Sequence, residues 1–224
     1  MTTADLGTTP IAGENPAGED IRYDQIFEKL QAEVDVKPSA GTTGGTNWNR
    51  VEELASTILA TRSKDVLVAS YLAVGLLHTK GVPDGLYEGV LLLKSLIEQF
   101  WDTLFPPLKR MRGRAQAIGW WLEKTVDCLG ATEEVQPLSA ARQQELAGAV
   151  DALYSLVSEK CPEAPSLRQV LEYVRSLPVE GGSDDVEAAY ARSTEAEPPQ
   201  SAPAAVPSNK TQQQQTSQKN DPVR

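Results

Sequence analysis

The stretch Val66-Leu-Val-Ala-Ser-Tyr-Leu-Ala-Val-Gly-Leu-Leu77 decides the fold. Val66, Leu67, Val68, Tyr71, Leu72, Val74, Leu76 and Leu77 put apolar side chains on nearly every face of a helix. A helix at the edge of a protein carries one apolar stripe; a helix without a polar face belongs in the middle of a bundle. The run is too short to span a bilayer. Ser63 or Asp65 stands where a cap is needed before it, and Gly81-Val-Pro-Asp-Gly85 ends it, with Gly81 as the C-cap.

The neighbours of this stretch read as further helices. Asn47 is an N-cap and Trp48 opens a segment in which Val51, Leu54, Ala55, Ile58 and Leu59 recur at helical spacing. A helix from about Asp84 to Leu104 buries Leu86, Val90, Leu93, Ile97, Phe100, Trp101 and Leu104, and Pro106-Pro107 stops it. Residues 112–129 form another, with Ile118, Trp121, Leu122 and Leu129 on one side. Residues 138–160 and 166–177 make two more, separated by Pro162 and Pro165. No period-two run competes. The expectation is an all-α protein, a compact bundle of about six or seven helices that are mostly antiparallel neighbours because the connections are short.

The ends differ in composition. Residues 1–23 read as an irregular arm, with Pro10, Gly13, Pro16 and Gly18, before a short helix that starts near Asp24. Residues 38–45 form a Gly/Ser/Thr loop without the Gly-Lys-Ser/Thr ending of a phosphate-binding loop. The helical domain then runs over 24–179. From about residue 180 large apolar side chains nearly vanish, and Pro and Gln dominate. Such a stretch buries too little surface to offset its ordering entropy, so 180–224 reads as a flexible linker or tail, and the chain as a fragment of a longer protein.

Chemistry is scarce. Asp plus Glu number 31 against 21 Lys plus Arg, a net charge of −10 that disfavours whole-surface nucleic-acid binding. Cys128 and Cys161 have no metal-ligand spacing, and His78 is the single histidine, which removes carboxylate–histidine metal motifs. No catalytic, metal or cofactor-binding residue is expected. No secretory signal is visible, and a cytoplasmic protein without membrane insertion is expected. The informative patch is Lys109, Arg110, Arg112 and Arg114, a basic island in an acidic chain, with Trp120 nearby. Arg and aromatic residues anchor protein interfaces, so these five are the candidate protein-binding residues. Trp101 and Trp121 read as core. Two other classes stay open: an enzyme with an unrecognised helical pocket, and a nucleic-acid binder that uses residues 109–114.

Several segments together resemble a known family. Asn15-Pro-Ala-Gly-Glu-Asp-Ile-Arg-Tyr-Asp24, Asn47-Trp48 followed by Val51, Ser63-Lys64-Asp65, Asp84-Gly85-Leu86, Phe100-Trp101-Asp102-x-Leu104-Phe105-Pro106 and Arg114 through Leu122 are similar, in order and spacing, to the ImpA-related N-terminal domain over about residues 11–129. That domain characterises TssA proteins of the bacterial type VI secretion system, including the VasJ-like group. The resemblance implies a non-enzymatic assembly factor at the secretion apparatus. Its implied partners are baseplate, membrane-complex, tube or sheath proteins, and a C-terminal oligomerisation region of the same protein that is not evident after the linker. By position, the signature residues are Glu19, Asp20, Arg22, Tyr23, Asp24, Trp48, Lys64, Asp65, Trp101, Asp102, Phe105 and Pro106. They are expected to be structural, with Trp48, Trp101 and Phe105 packing, and Arg22, Lys64, Asp65 and Asp102 pairing at helix junctions.

Overall fold

In the computed structural model, residues 2–36 and 45–181 are described. The loop expected over 38–45 falls outside them except for Gly45, and so does the expected linker from residue 182 onward. Among the described residues eight α-helices follow one another: α1 (Thr3–Thr8), α2 (Gln25–Val34), α3 (Trp48–Thr61), α4 (Val66–Lys80), α5 (Asp84–Phe100), α6 (Met111–Gly130), α7 (Ala140–Lys160) and α8 (Arg168–Ser176). One 3-10 turn, Leu108–Arg110, leads into α6. There is no strand among the described residues. The protein is an all-α bundle.

Local sequence explains where the helices begin. Asp24 accepts from the Ile26 amide, Asn47 from Arg50, Asp65 from Leu67 and Val68, and Ser139 from Arg142. Each is a polar side chain that satisfies an amide of a first helical turn. Gly81, at φ +69°, ends α4.

The start of the chain departs from the expectation of an irregular arm. Thr2 and Asp5 form a reciprocal capping box, and α1 buries Leu6 and Gly7 as it packs on α5. Six residues with one large apolar side chain show no periodicity, so the helix depends on the cap and on its docking.

Helix α4 packs against α3, α5 and α6, which fits its apolar composition on all faces. The α4–α5 contact is close: a Cβ at Gly85 would lie 2.1 Å from the Leu76 carbonyl oxygen. Helices α7 and α8 close the other side of α5 and α6.

The residues that the helices leave over knit into one junction. The Lys64 amide donates to the Ala17 carbonyl, Glu19 to Arg62, Phe105 to Lys64, and Val66 to Phe105. Residues 17–19, 62–66 and 105 are thus joined backbone to backbone, in isolated bridges rather than a sheet. Gly18 sits at φ +75°, and a Cβ there would lie 2.1 Å from the Arg62 carbonyl oxygen. Only glycine fits that approach.

Helix α5 stops at Phe100 rather than at Leu104. The following turn exposes carbonyls that no helix satisfies, and Arg114 collects them. Its Nε donates to Pro106 at 2.6 Å, Nη1 to Trp101 at 2.6 Å and Nη2 to Leu104 at 2.7 Å. The guanidinium also lies over the Trp101 ring, 4.5 Å from its centroid. Arg114 is fully buried, so it is withdrawn from the candidate protein-binding residues. Its helical phase places it in line with Ile118, Trp121 and Thr125, all buried.

Two consequences can be measured by urea unfolding. Arg114→Met leaves three buried carbonyls without donors and should cost about 3–5 kcal/mol; a loss below about 1 kcal/mol would contradict the role given to the guanidinium. Gly18→Ala should destabilise by at least about 1–3 kcal/mol, because it combines a left-handed backbone with a clash against a carbonyl. Unchanged stability there would mean that the junction can open freely.

Candidate functional site

Signature residues from three distant stretches meet at this junction. Lys64 is fully buried and has no carboxylate partner among the described residues; its Nζ donates to the carbonyls of Leu6 and Leu59, both at 2.7 Å. These carbonyls belong to α1 and to the last turn of α3, where the helix dipole is negative. Burial pulls the ammonium down to about 8. Asp65 takes the opposite pole. Its Oδ1 accepts from Leu67 at 2.7 Å at the positive end of α4, and its Oδ2 lies 3.7 Å from Arg22 Nη2. Desolvation outweighs the Arg22 charge and the two amides, and pushes the carboxyl up from 3.8 to about 6.

Of the four residues expected to pair, only Arg22 and Asp65 do so. Lys64 uses carbonyls instead. Asp102 is exposed and takes part in none of the ion pairs among the described residues. It lies in the turn just after α5 with its side chain exposed. Trp101 is buried, and Phe105 packs partly buried beside it. Trp48 is half-buried and stacks on His78 with 4.2 Å between ring centroids and 5° between planes. Asp20 accepts from the Arg22 amide, and Asp24 caps α2. Glu19 is exposed and enters the junction only through its backbone. Tyr23 is 96% exposed, so it contributes nothing to the core.

Next to the junction the surface opens into a cleft of about 280 Å³, lined by Arg22, Leu67, Pro106, Arg110, Gly113, Gln116, Ala117 and Trp120. Four pieces of chain supply these walls: the segment before α2, the first turn of α4, the turn after α5, and α6. Trp120 is held edge-on against Tyr71, 4.7 Å between centroids and 79° between planes. Of the candidate protein-binding residues, Arg110 and Trp120 therefore share one cleft. Lys109 and Arg112 are exposed and do not line it, and Arg114 is in the core. Arg22, Leu67 and Gln116 were not legible as members, since they come from other turns and other segments.

The pair that most resembles catalytic machinery is Cys128 and His78, with Sγ 3.9 Å from Nδ1. Burial pushes the thiol up and the imidazole down. Both groups are held neutral, whereas a nucleophilic pair needs a thiolate stabilised by its base. Among the described residues, no three His, Cys, Asp or Glu side chains gather to hold a metal ion.

The profile of the family described as ImpA, N-terminal, type VI secretion system, matches residues 8–123, just over half of the chain. The chain belongs to this family. The ImpA N-terminal domain is 33% identical over 104 residues to the type VI secretion system component TssA1 of Pseudomonas aeruginosa. That match takes in 44% of this chain and 30% of the relative, so the chain spans under a third of its length. In three dimensions the domain is similar to a solved N-terminal domain, including the conserved ImpA_N region, of the TssA component from Burkholderia cenocepacia. The TM-score is 0.66 at 21% identity, over 87% of this chain and 96% of that one. At that identity the likeness shows the fold. No helix among the described residues is long and apolar enough to cross a membrane.

The Asp65 carboxyl gives a measurable pH dependence. Folded protein keeps its proton up to about pH 6, while the unfolded chain releases it near 3.8. The folded state therefore binds more protons in that window, and this group's contribution to stability falls as pH rises through it. Asn at position 65 retains the capping oxygen but does not titrate. The stability of the wild type relative to Asp65→Asn should drop by a few kcal/mol, at most about 3, between pH 4 and 7. Parallel urea-stability profiles for the two proteins would refute the assignment.

Proposed function

We propose that this domain is a non-enzymatic protein-binding module of a type VI secretion assembly factor, and that it helps to initiate or coordinate baseplate, tube and sheath assembly. Membership of the ImpA N-terminal family carries the reading, because that family belongs to this secretion system. The likeness to a TssA component supports it. The structure fits a binding role in a specific way. The buried cations Lys64 and Arg114 are spent on holding chain segments together, and the chemistry left at the surface cleft is that of an interface: Arg22, Arg110 and Trp120.

On this reading the domain works in the cytoplasm at the base of the apparatus. Its partners are baseplate, membrane-complex, tube or sheath proteins, and a C-terminal oligomerisation region would multiply its contacts through avidity. No cofactor is required.

Immobilised domain should capture at least one of the separately purified baseplate, membrane-complex, sheath and tube proteins of the same organism. Capture of none of them, where the full-length assembly factor captures them, would remove the binding role from this part of the protein.

A further inference from the structure

Within the reading of the domain as a protein-binding module, we infer that the cleft beside the junction takes an acidic segment of a partner protein. A carboxylate of that segment sits by the Arg22 and Arg110 guanidiniums, and a neighbouring apolar side chain packs on Trp120.

The chemistry of the walls carries this. Leu67, Pro106, Ala117 and Trp120 give the cleft an apolar floor, and Arg22, Arg110 and Gln116 supply polar groups around it. Gly113 leaves the Pro106 ring uncovered, since a Cβ there would lie only 3.3 Å from the proline Cγ. The cleft volume is at the lower edge of small-molecule sites and suits a few side chains of a peptide.

The charges are placed for an anion. Arg22 is pinned from behind by Asp65 at 3.7 Å and by the Phe27 ring, 5.7 Å from its guanidinium carbon, yet its side chain stays 34% exposed. A guanidinium held in this way loses little rotamer freedom when it accepts a second carboxylate. Elsewhere on the surface Arg50, Lys80, Lys94, Lys124, Arg142 and Lys160 sit on carboxylates of this chain, and the exposed cations outside those pairs, Lys29, Arg62, Arg168 and Arg175, are scattered singly along the sequence. Lys109, Arg110 and Arg112 take part in none of the ion pairs among the described residues. In a chain of net charge −10, a group of cations without internal partners is complementary to negative charge from outside.

Nucleic acid fits less well. A polyanion would have to run past the acidic body on either side of a short basic spot, while a segment with one or two carboxylates would not. Removal of Arg114 to the core shrinks that spot further.

The test uses the full chain immobilised on resin and a degenerate peptide library with Glu and Asp at fixed positions. A matched library carries Gln and Asn instead, and a single-stranded DNA oligonucleotide is the third probe. The acidic library should be retained and the amide library not. Arg110→Glu and Gln116→Glu, both at exposed positions, should each weaken retention at least about tenfold with an unchanged urea midpoint. Equal retention of the two libraries, failure to retain the acidic one, indifference to both substitutions, or DNA binding lost in Arg110→Glu would overturn the inference. The same variants enter the capture experiment with secretion proteins. Capture that persists undiminished in both would sink the cleft while leaving the assembly role intact. Loss of wild-type capture, with acidic peptides still bound, would sink the assembly role alone.

Discussion

A turn that cannot satisfy its own carbonyls is the constraint on which the rest of this structure depends. After Phe100 the chain leaves α5 and passes through Phe105-Pro-Pro107, where two residues have no amide to give. The oxygens of Trp101, Leu104 and Pro106 point inward, and a buried carbonyl without a donor is expensive. Arg114 answers all three with one planar group. That places the first turn of α6 against the turn that follows α5. The position of Phe105 follows, and from Phe105 the backbone pairing extends to Lys64 and Val66, and so to the central helix.

The same logic is repeated with other charges. Among the described residues the two buried cations lie at negative helix ends, Lys64 by α1 and α3, Arg114 just past α5, while the buried carboxylate Asp65 lies at the positive end of α4. Side-chain charge is balanced mainly by oriented peptide groups rather than by counter-ions, with Arg22 a partial exception. Helix termini that would each need water or a cap are brought to one place and neutralise one another's charged caps. The cleft borders this junction, so its Arg22 wall and its Pro106 floor are fixed by the groups that hold the helices.

The helices themselves were legible because most long segments repeat their apolar residues at helical spacing, and α2, α3, α4 and α7 start on a polar cap. The central position of α4 followed from composition alone. What escaped was tertiary. Arg114 looked like part of a basic surface run with Lys109, Arg110 and Arg112, although its spacing to Ile118 and Trp121 puts it on the buried face of α6. Sequence neighbours share a charge label, but helical phase decides which of them reaches water. Lys64 could not be told from an ordinary pairing lysine, because its partners are backbone oxygens that any residues supply. The α1 helix is too short to show a period. As for the cleft, Arg110 and Trp120 could be picked out as residue types, whereas Arg22, Leu67 and Gln116 became members only through the approach of separate segments.

The joining of residues 17–19, 62–66 and 105 by main-chain amides also bears on how much the sequence can drift. Every residue except proline brings the same donor and acceptor to such a pairing, so most side chains along these segments are released from the task of keeping the segments together. A handful are not: Gly18 for want of space, and Lys64, Asp65 and Arg114 for want of any substitute with the same reach. A fold written this way concentrates its specification in few letters, and a solved domain only 21% identical can keep the same chain path.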